Sequence, residues 1–205
     1  MPTAFTTRER EAIVQILLET GERLFTTAGL RKTSLDDLVG PAGIAKSSFY
    51  LFFASKEALY LELLARQADG VQRRVIDEGL LRGEGPRDAL RRFLRATLTE
   101  LAANPLYRRL MTHPDEMAAV ARKIPPEQVA AAQGGAFARL REFVTTGQAD
   151  GTLPPGDPDA VIGALRAVLL LPLHVEQIGE DLYPAVLDMM IDFVTTGLAP
   201  ERTAS

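Results

Sequence analysis

Apolar positions along this chain recur at three- and four-residue spacing almost throughout, the period of helices with one buried face. The first stretch, about Arg8 to Ala28, puts Ile13, Ile16, Leu17, Leu24 and Phe25 on one side. Gly21 sits in its middle, a choice that costs about 1 kcal/mol against alanine and predicts close packing by another helix. Between Thr33 and Glu57 the pattern shortens. Leu35, Leu38 and Val39 mark a short helix, and Ser34 with Asp37 three residues on has the form of a capping box. Ala42-Gly43-Ile44 reads as a tight turn, with glycine at the left-handed position that ends a helix. Lys46 to Phe53 is the next helix. Phe49 and Phe53 lie four apart on its inward side, which leaves Lys46, Ser47, Ser48, Tyr50 and Leu51 outward.

Downstream, Ser55 caps a long helix from about Lys56 to Glu78, which Gly79, Gly83, Gly85 and Pro86 interrupt. Pro86 to Ala103 is helical. Two short helices, Leu106 to Thr112 and Asp115 to Lys123, flank His113-Pro114. Pro125-Pro126 opens a helix to about Ala149, with Gly134-Gly135 inside it. Asp157 caps a helix to about Ile178, which Pro172 should kink. The last helix runs from Tyr183 to Gly197, and the tail from Ala199 to Ser205 is expected to be disordered. The fold class is therefore all-α. The expected division is a three-helix helix-turn-helix domain at 1–54 and a larger helical domain at 55–205, with the helix at about 56–78 connecting them.

Composition removes several chemistries. None of the 205 residues is cysteine, so disulfides, thiol nucleophiles and zinc–thiolate sites are absent. The longest apolar run, Ala167 to Leu173, contains Pro172 and is too short to span a bilayer. With no basic-then-apolar leader, a soluble cytoplasmic protein without a membrane partner is expected. The net charge is −4. Residues 1–60 hold seven basic and seven acidic side chains, so the rest of the chain carries the whole deficit. The only histidines, His113 and His174, have no glutamate three residues before them, and no metal, cofactor or catalytic group is expected. Arg87, Arg91 and Arg95 share one helix face, read as solvated beside Asp88.

Two short helices with a glycine turn, the second displaying small, basic and hydroxyl side chains, suit a DNA major groove. The ordered elements are Leu24-Phe25, Gly29, Thr33-Ser34-Leu35, Ala42-Gly43-Ile44, Lys46-Ser47-Ser48, Phe49-Tyr50, Phe53, Ser55-Lys56-Glu57 and Leu59. In that register the stretch from about 8 to 64 resembles the N-terminal DNA-binding domain of the TetR/AcrR family of transcriptional regulators. The resemblance implies a non-enzymatic, ligand-responsive regulator, most commonly a repressor that a small molecule releases from a pseudo-palindromic operator in double-stranded DNA. The alternatives are an activator or architectural DNA-binding protein without an effector and, more remotely, a helical-bundle enzyme. Lys46, Ser47, Ser48 and Leu51 are the expected groove contacts. Tyr50 and Lys56 match the family's phosphate-contacting positions. Thr33 and Ser34 offer hydroxyls and N–H groups to a phosphate, or simply cap their helix. Three departures bear on binding strength: Ala45 lacks a capping oxygen, Phe52 replaces a polar residue, and Pro41 follows Gly40 near a helix end.

The last two long helices are apolar on two sides, which predicts a second partner besides their own core. A homodimer interface is expected from Val161, Leu165, Val168, Leu169, Val186, Met189, Met190 and Phe193. An effector pocket for an apolar or amphipathic molecule is expected beside the broken segment near His113. Its candidate lining is Phe93, Tyr107, Met111, His113, Met117, Phe137, Leu140 and His174.

Overall fold

The computed structural model describes residues 5–132 and 135–199. The described chain forms helices α1 (Thr7–Thr27), α2 (Leu35–Val39), α3 (Lys46–Phe49), α4 (Lys56–Gln72), α5 (Pro86–Ala103), α6 (Pro105–Thr112), α7 (Pro114–Ala121), α8 (Pro126–Ala132), α9 (Ala136–Ala149), α10 (Pro158–Leu169), α11 (Val175–Ile178) and α12 (Tyr183–Leu198). No strand occurs among the described residues, so the fold is all-α. No single described helix is long and apolar enough to cross a membrane.

Several boundaries differ from the expected ones. The stretch from Lys46 to Phe53 is one α-helical turn, α3, extended by i→i+3 bonds from Leu51 N–H to Ser48 and from Phe52 N–H to Phe49. Ala45 supplies no side-chain cap, so this helix starts without one. The helix expected to reach Glu78 changes at Arg73 into a π turn, Arg73–Asp77. The helix from Pro126 to Ala149 is two helices, with Gly135 left-handed before the second. Gly134 and the expected disordered tail at 200–205 lie outside the described residues. Pro172 falls in a 3₁₀ turn, Leu171–His174, that separates α10 from α11.

Contacts divide the chain into two compact units, residues 1–68 with 104–133, and residues 69–103 with 134–205. This is not the linear division at residue 54 that the sequence suggested. The reason is visible in the first unit's core. Leu17, Phe25, Leu30, Leu38, Phe49, Leu59 and Tyr60 pack with Leu106, Val120 and Ile124, which come from far along the chain. Each buried leucine of this kind contributes about 2 kcal/mol of apolar transfer. Gly21 allows the approach expected of it, since a Cβ there would sit 3.0 Å from Leu59 Cδ2 on α4.

A buried ion pair closes the same unit. Glu116 of α7 is 3% exposed. Its Oε1 accepts the Leu30 N–H at 3.1 Å, across 86 residues of sequence. Arg109 of α6 donates to both of its oxygens, at 2.9 Å from Nε and 2.8 Å from Nη2. Gly29, at φ +88°, precedes Leu30, and a Cβ there would overlap the Arg109 guanidinium. Lys123 makes a second link at 2.8 Å to the buried carboxylate of Glu57 on α4.

The second unit packs α5, α9, α10 and α12 around Leu90, Leu94, Val144, Leu165, Val168 and Ile191. Arg87, Arg91 and Arg95 are not merely solvated beside Asp88. Arg87 donates to Thr196 at 2.5 Å, Arg91 meets Asp192 at 2.6 Å, and Arg95 meets Asp188 at 3.1 Å. Two four-residue spacings, run antiparallel, make a ladder between α5 and α12.

Replacing Glu116 with alanine removes one partner of a buried pair and strands both Arg109 and the Leu30 N–H. The expected cost is about 3 kcal/mol, read as a lower urea midpoint; an unchanged midpoint would show that the pair contributes nothing.

Candidate nucleic-acid interface

The site is built from α2, α3 and the turns around them. Ser34 caps α2 through a complete capping box: its Oγ accepts the Asp37 N–H at 3.2 Å, while its own N–H donates to Asp37 at 3.0 Å. Gly43, at φ +63°, makes the turn into α3, and nothing lies within 4 Å of a Cβ placed there. Phe49 is fully buried and anchors α3 to the core, flanked by Phe53 and Tyr50 at ring centroid distances of 6.0 and 5.8 Å.

The expected contact residues fall into two groups. Ser47, Tyr50 and Leu51 are exposed; Tyr50 and Leu51 show 57% and 59% of their surface to solvent. An aromatic and a leucine so exposed on a small, otherwise well-filled domain are free to meet a partner. Ser48 is half-buried. Lys46 is exposed but paired, its Nζ 2.8 Å from Asp36 Oδ2. The others are engaged by the protein itself. Thr33 is buried and its hydroxyl donates to the Gly29 carbonyl at 2.8 Å. Ser34 is the cap just described. Lys56 Nζ donates to the carbonyls of Thr33 at 2.8 Å and Arg31 at 3.3 Å, tying the start of α4 to the loop before α2. These three side chains therefore hold the site's backbone.

Two contributors were not singled out in the sequence. Asp36 is one. Arg10 of α1 is the other: its Nη2 donates to the Leu51 carbonyl at 3.1 Å, and its guanidinium lies 5.1 Å from the Phe52 ring centroid. The position where a polar residue was expected thus serves as a cation–π platform that holds the turn after α3. No local pattern announces Arg10, because its partners lie 41 residues on.

Residues 17–63 match the model for bacterial regulatory proteins of the tetR family. That segment, less than a quarter of the chain, carries the tetR-family match. It is 31% identical over 101 residues to the HTH-type transcriptional regulator YuxN of Bacillus subtilis, covering 49% of this chain and 31% of that protein. It is 46% identical over 56 residues to the HTH-type transcriptional regulator EthR of Mycobacterium tuberculosis, covering 26% of each. The alignments thus span a third or less of both relatives. Among solved structures, AibR in complex with isovaleryl coenzyme A and operator DNA is similar with a TM-score of 0.62 at 16% identity, covering 88% of this chain and 98% of that one. The likeness is one of fold and covers most of the molecule.

The other expected sites are dispersed. Tyr107, Met111, His113 and Met117 belong to the first unit, and Phe93, Phe137, Leu140 and His174 to the second. Phe93 and Leu140 are buried in the second unit's core, whereas Phe137, His113 and His174 are exposed. The eight therefore do not form one wall within either unit. The second unit instead holds an open groove of about 810 Å³ lined by Pro86, Arg87, Asp88, Gln148, Thr152 and Leu153 among others. Val161, Leu165, Val168 and Leu169 are buried in their own unit and leave little surface for a second copy. Val186 and Met190 are half-buried; Met189 and Phe193 are 53% and 64% exposed.

The α2 cap is acid-sensitive. The Ser34 hydroxyl and then its N–H donate to the Asp37 carboxylate and hold its pKa below the usual value. A depressed folded pKa means that the cap contributes fully above the ordinary aspartate range near 4 and is lost as pH falls through the lower folded value. The Ser34 amide resonance should shift in that acidic window, and an Asp37→Asn variant should lack the transition.

Proposed function

We propose that this chain is a ligand-responsive, DNA-binding transcriptional regulator of the cytoplasm, a non-enzymatic repressor that acts as a homodimer on a pseudo-palindromic operator. The observation that carries this reading is the exposed row Ser47, Tyr50 and Leu51 at and just after α3, inside the segment that matches the tetR family. Tyr50 and Leu51 present apolar surface to solvent, and a tyrosine hydroxyl beside a groove is a ready phosphate donor. Selection of bound genomic fragments should enrich one inverted-repeat motif. Tyr50→Ala should weaken binding to every sequence by about tenfold. Enrichment of no motif at any salt concentration would refute the DNA reading.

The exposed stripe on α12 supports the dimer. Leu182, Val186, Met189 and Phe193 follow one another at helical spacing along one side of the helix, on the opposite side to its buried Ile191 and Thr195. Two copies of such a stripe can bury each other about a two-fold axis. The interface expected from α10 and α12 together thereby narrows to α12 and the exposed part of the segment that includes Leu173. Phe193→Asp should convert the dimer to a monomer in sedimentation and abolish tight operator binding; a wild-type monomer at micromolar concentration would overturn the dimer.

For the effector, the groove of about 810 Å³ offers prolines and Leu153 with Gln148, Thr152 and Arg87, a mixed lining of the kind that small molecules use. A chain held in a solved structure with an acyl coenzyme A and an operator has the same fold. An effector lowers operator affinity only if it binds the DNA-incompetent conformation more tightly, by about 1.4 kcal/mol for each factor of ten.

A further inference from the structure

Lys46 opens the helix expected to enter the groove, and a carboxylate holds it there. Asp36 of α2 sits 2.8 Å from the Lys46 ammonium. That contact, through its hydrogen bond first and its charge second, raises the Lys46 pKa. Both side chains are more than half exposed, so the pair is worth little to folding. Asp36 is also dispensable for the α2 cap, which Ser34 and Asp37 make between them. A carboxylate therefore stands beside the lysine of α3, outside the hydrogen bonds of the α2 cap.

Resting on the DNA-binding reading above, we propose that Asp36 is a specificity-determining residue: it holds Lys46 so that the ammonium serves neutral base edges and not phosphates. The chemistry follows from the donor count. A lysine ammonium has three N–H groups and can keep Asp36 on one while donating others to the O6 and N7 of a guanine, which are uncharged acceptors. A phosphate oxygen drawn to the same ammonium would be drawn to the Asp36 carboxylate as well, and two anions repel across a few ångströms. The pair thus disfavours indiscriminate backbone binding while leaving base recognition intact. In the balanced charge of residues 1–60, this subtracts one cation from the non-specific attraction.

The test uses the full chain, its selected fragment and a scrambled duplex of the same length, titrated over a range of salt. Asp36→Asn should bind the scrambled duplex about tenfold more tightly, with a salt slope steeper by about 0.9, the value for one further neutralised phosphate. Binding to the selected fragment should change by about twofold or less, so the specificity ratio falls. Asp36→Ser should do the same, and thermal unfolding of each variant checks that the domain remains folded. In a Lys46→Gln background, Asp36→Asn should alter neither slope nor ratio. An Asp36→Asn protein that matches wild type on the scrambled duplex would overturn the proposal. So would an equal effect in the Lys46→Gln background, since the carboxylate would then act only as a repelling charge. Failure of wild type to enrich any fragment marks the different failure, that of the DNA reading, and the proposal falls with it.

Discussion

The first compact unit depends on one buried carboxylate. Glu116 accepts hydrogen bonds from a guanidinium on α6 and from a backbone N–H in the turn after α1. A carboxylate that is 3% exposed would be costly alone. Here its charge is matched by Arg109, and three N–H groups donate to its two oxygens. The position of the turn at Gly29–Leu30, and hence of Thr33, Ser34 and α2, is set by helices that come more than seventy residues later. Lys56 reinforces the same loop from α4 by donating to the Arg31 and Thr33 carbonyls.

The outer face of α2 and α3 has a different electrostatic character. Three cations around α3 are not simply displayed. Lys46 is held by Asp36, Lys56 by backbone carbonyls, and Arg10 by the Leu51 carbonyl and the Phe52 ring. What remains outward is shape: Tyr50, Leu51 and a serine. A face with its charges so engaged gains affinity mainly where contours and hydrogen bonds fit, and this agrees with a chain whose net charge is −4.

Features fixed by short-range physics were legible in the sequence. The capping box at Ser34–Asp37, the glycine turn at Gly43 and the inward Phe49 depend on neighbours within a few residues, and each stands where the spacing put it. The tetR resemblance was carried by the same local register. What was not legible depended on distant partners. The four-residue spacing of Arg87, Arg91 and Arg95 fits a solvated face equally well until Asp188, Asp192 and Thr196 are placed opposite. The breadth of apolar positions on α10 looked like a surplus for a second copy, but Val161, Ile162, Leu165, Val168 and Leu169 are buried where α5, α9 and α12 pack against that helix. The expected pocket lining turned out to draw on both units for a related reason. Flexible methionines and a broken segment mark irregular packing, yet they do not say which unit the pieces join.

The interrupted make-up of the first unit also constrains how the chain acquires its structure as it is made. When residue 68 has emerged from the ribosome, the hydrophobic set around Leu17, Phe25, Leu38 and Phe49 is present but uncovered. Leu106, Val120 and Ile124 are still to come. At about 5–20 residues per second, the gap lasts several seconds, long against the microseconds in which helices form. During that interval the nascent helix-turn-helix exposes apolar surface and leaves the Leu30 N–H without its carboxylate. A helix-turn-helix module that looks autonomous in the sequence is therefore completed late, by a segment translated after part of the other unit.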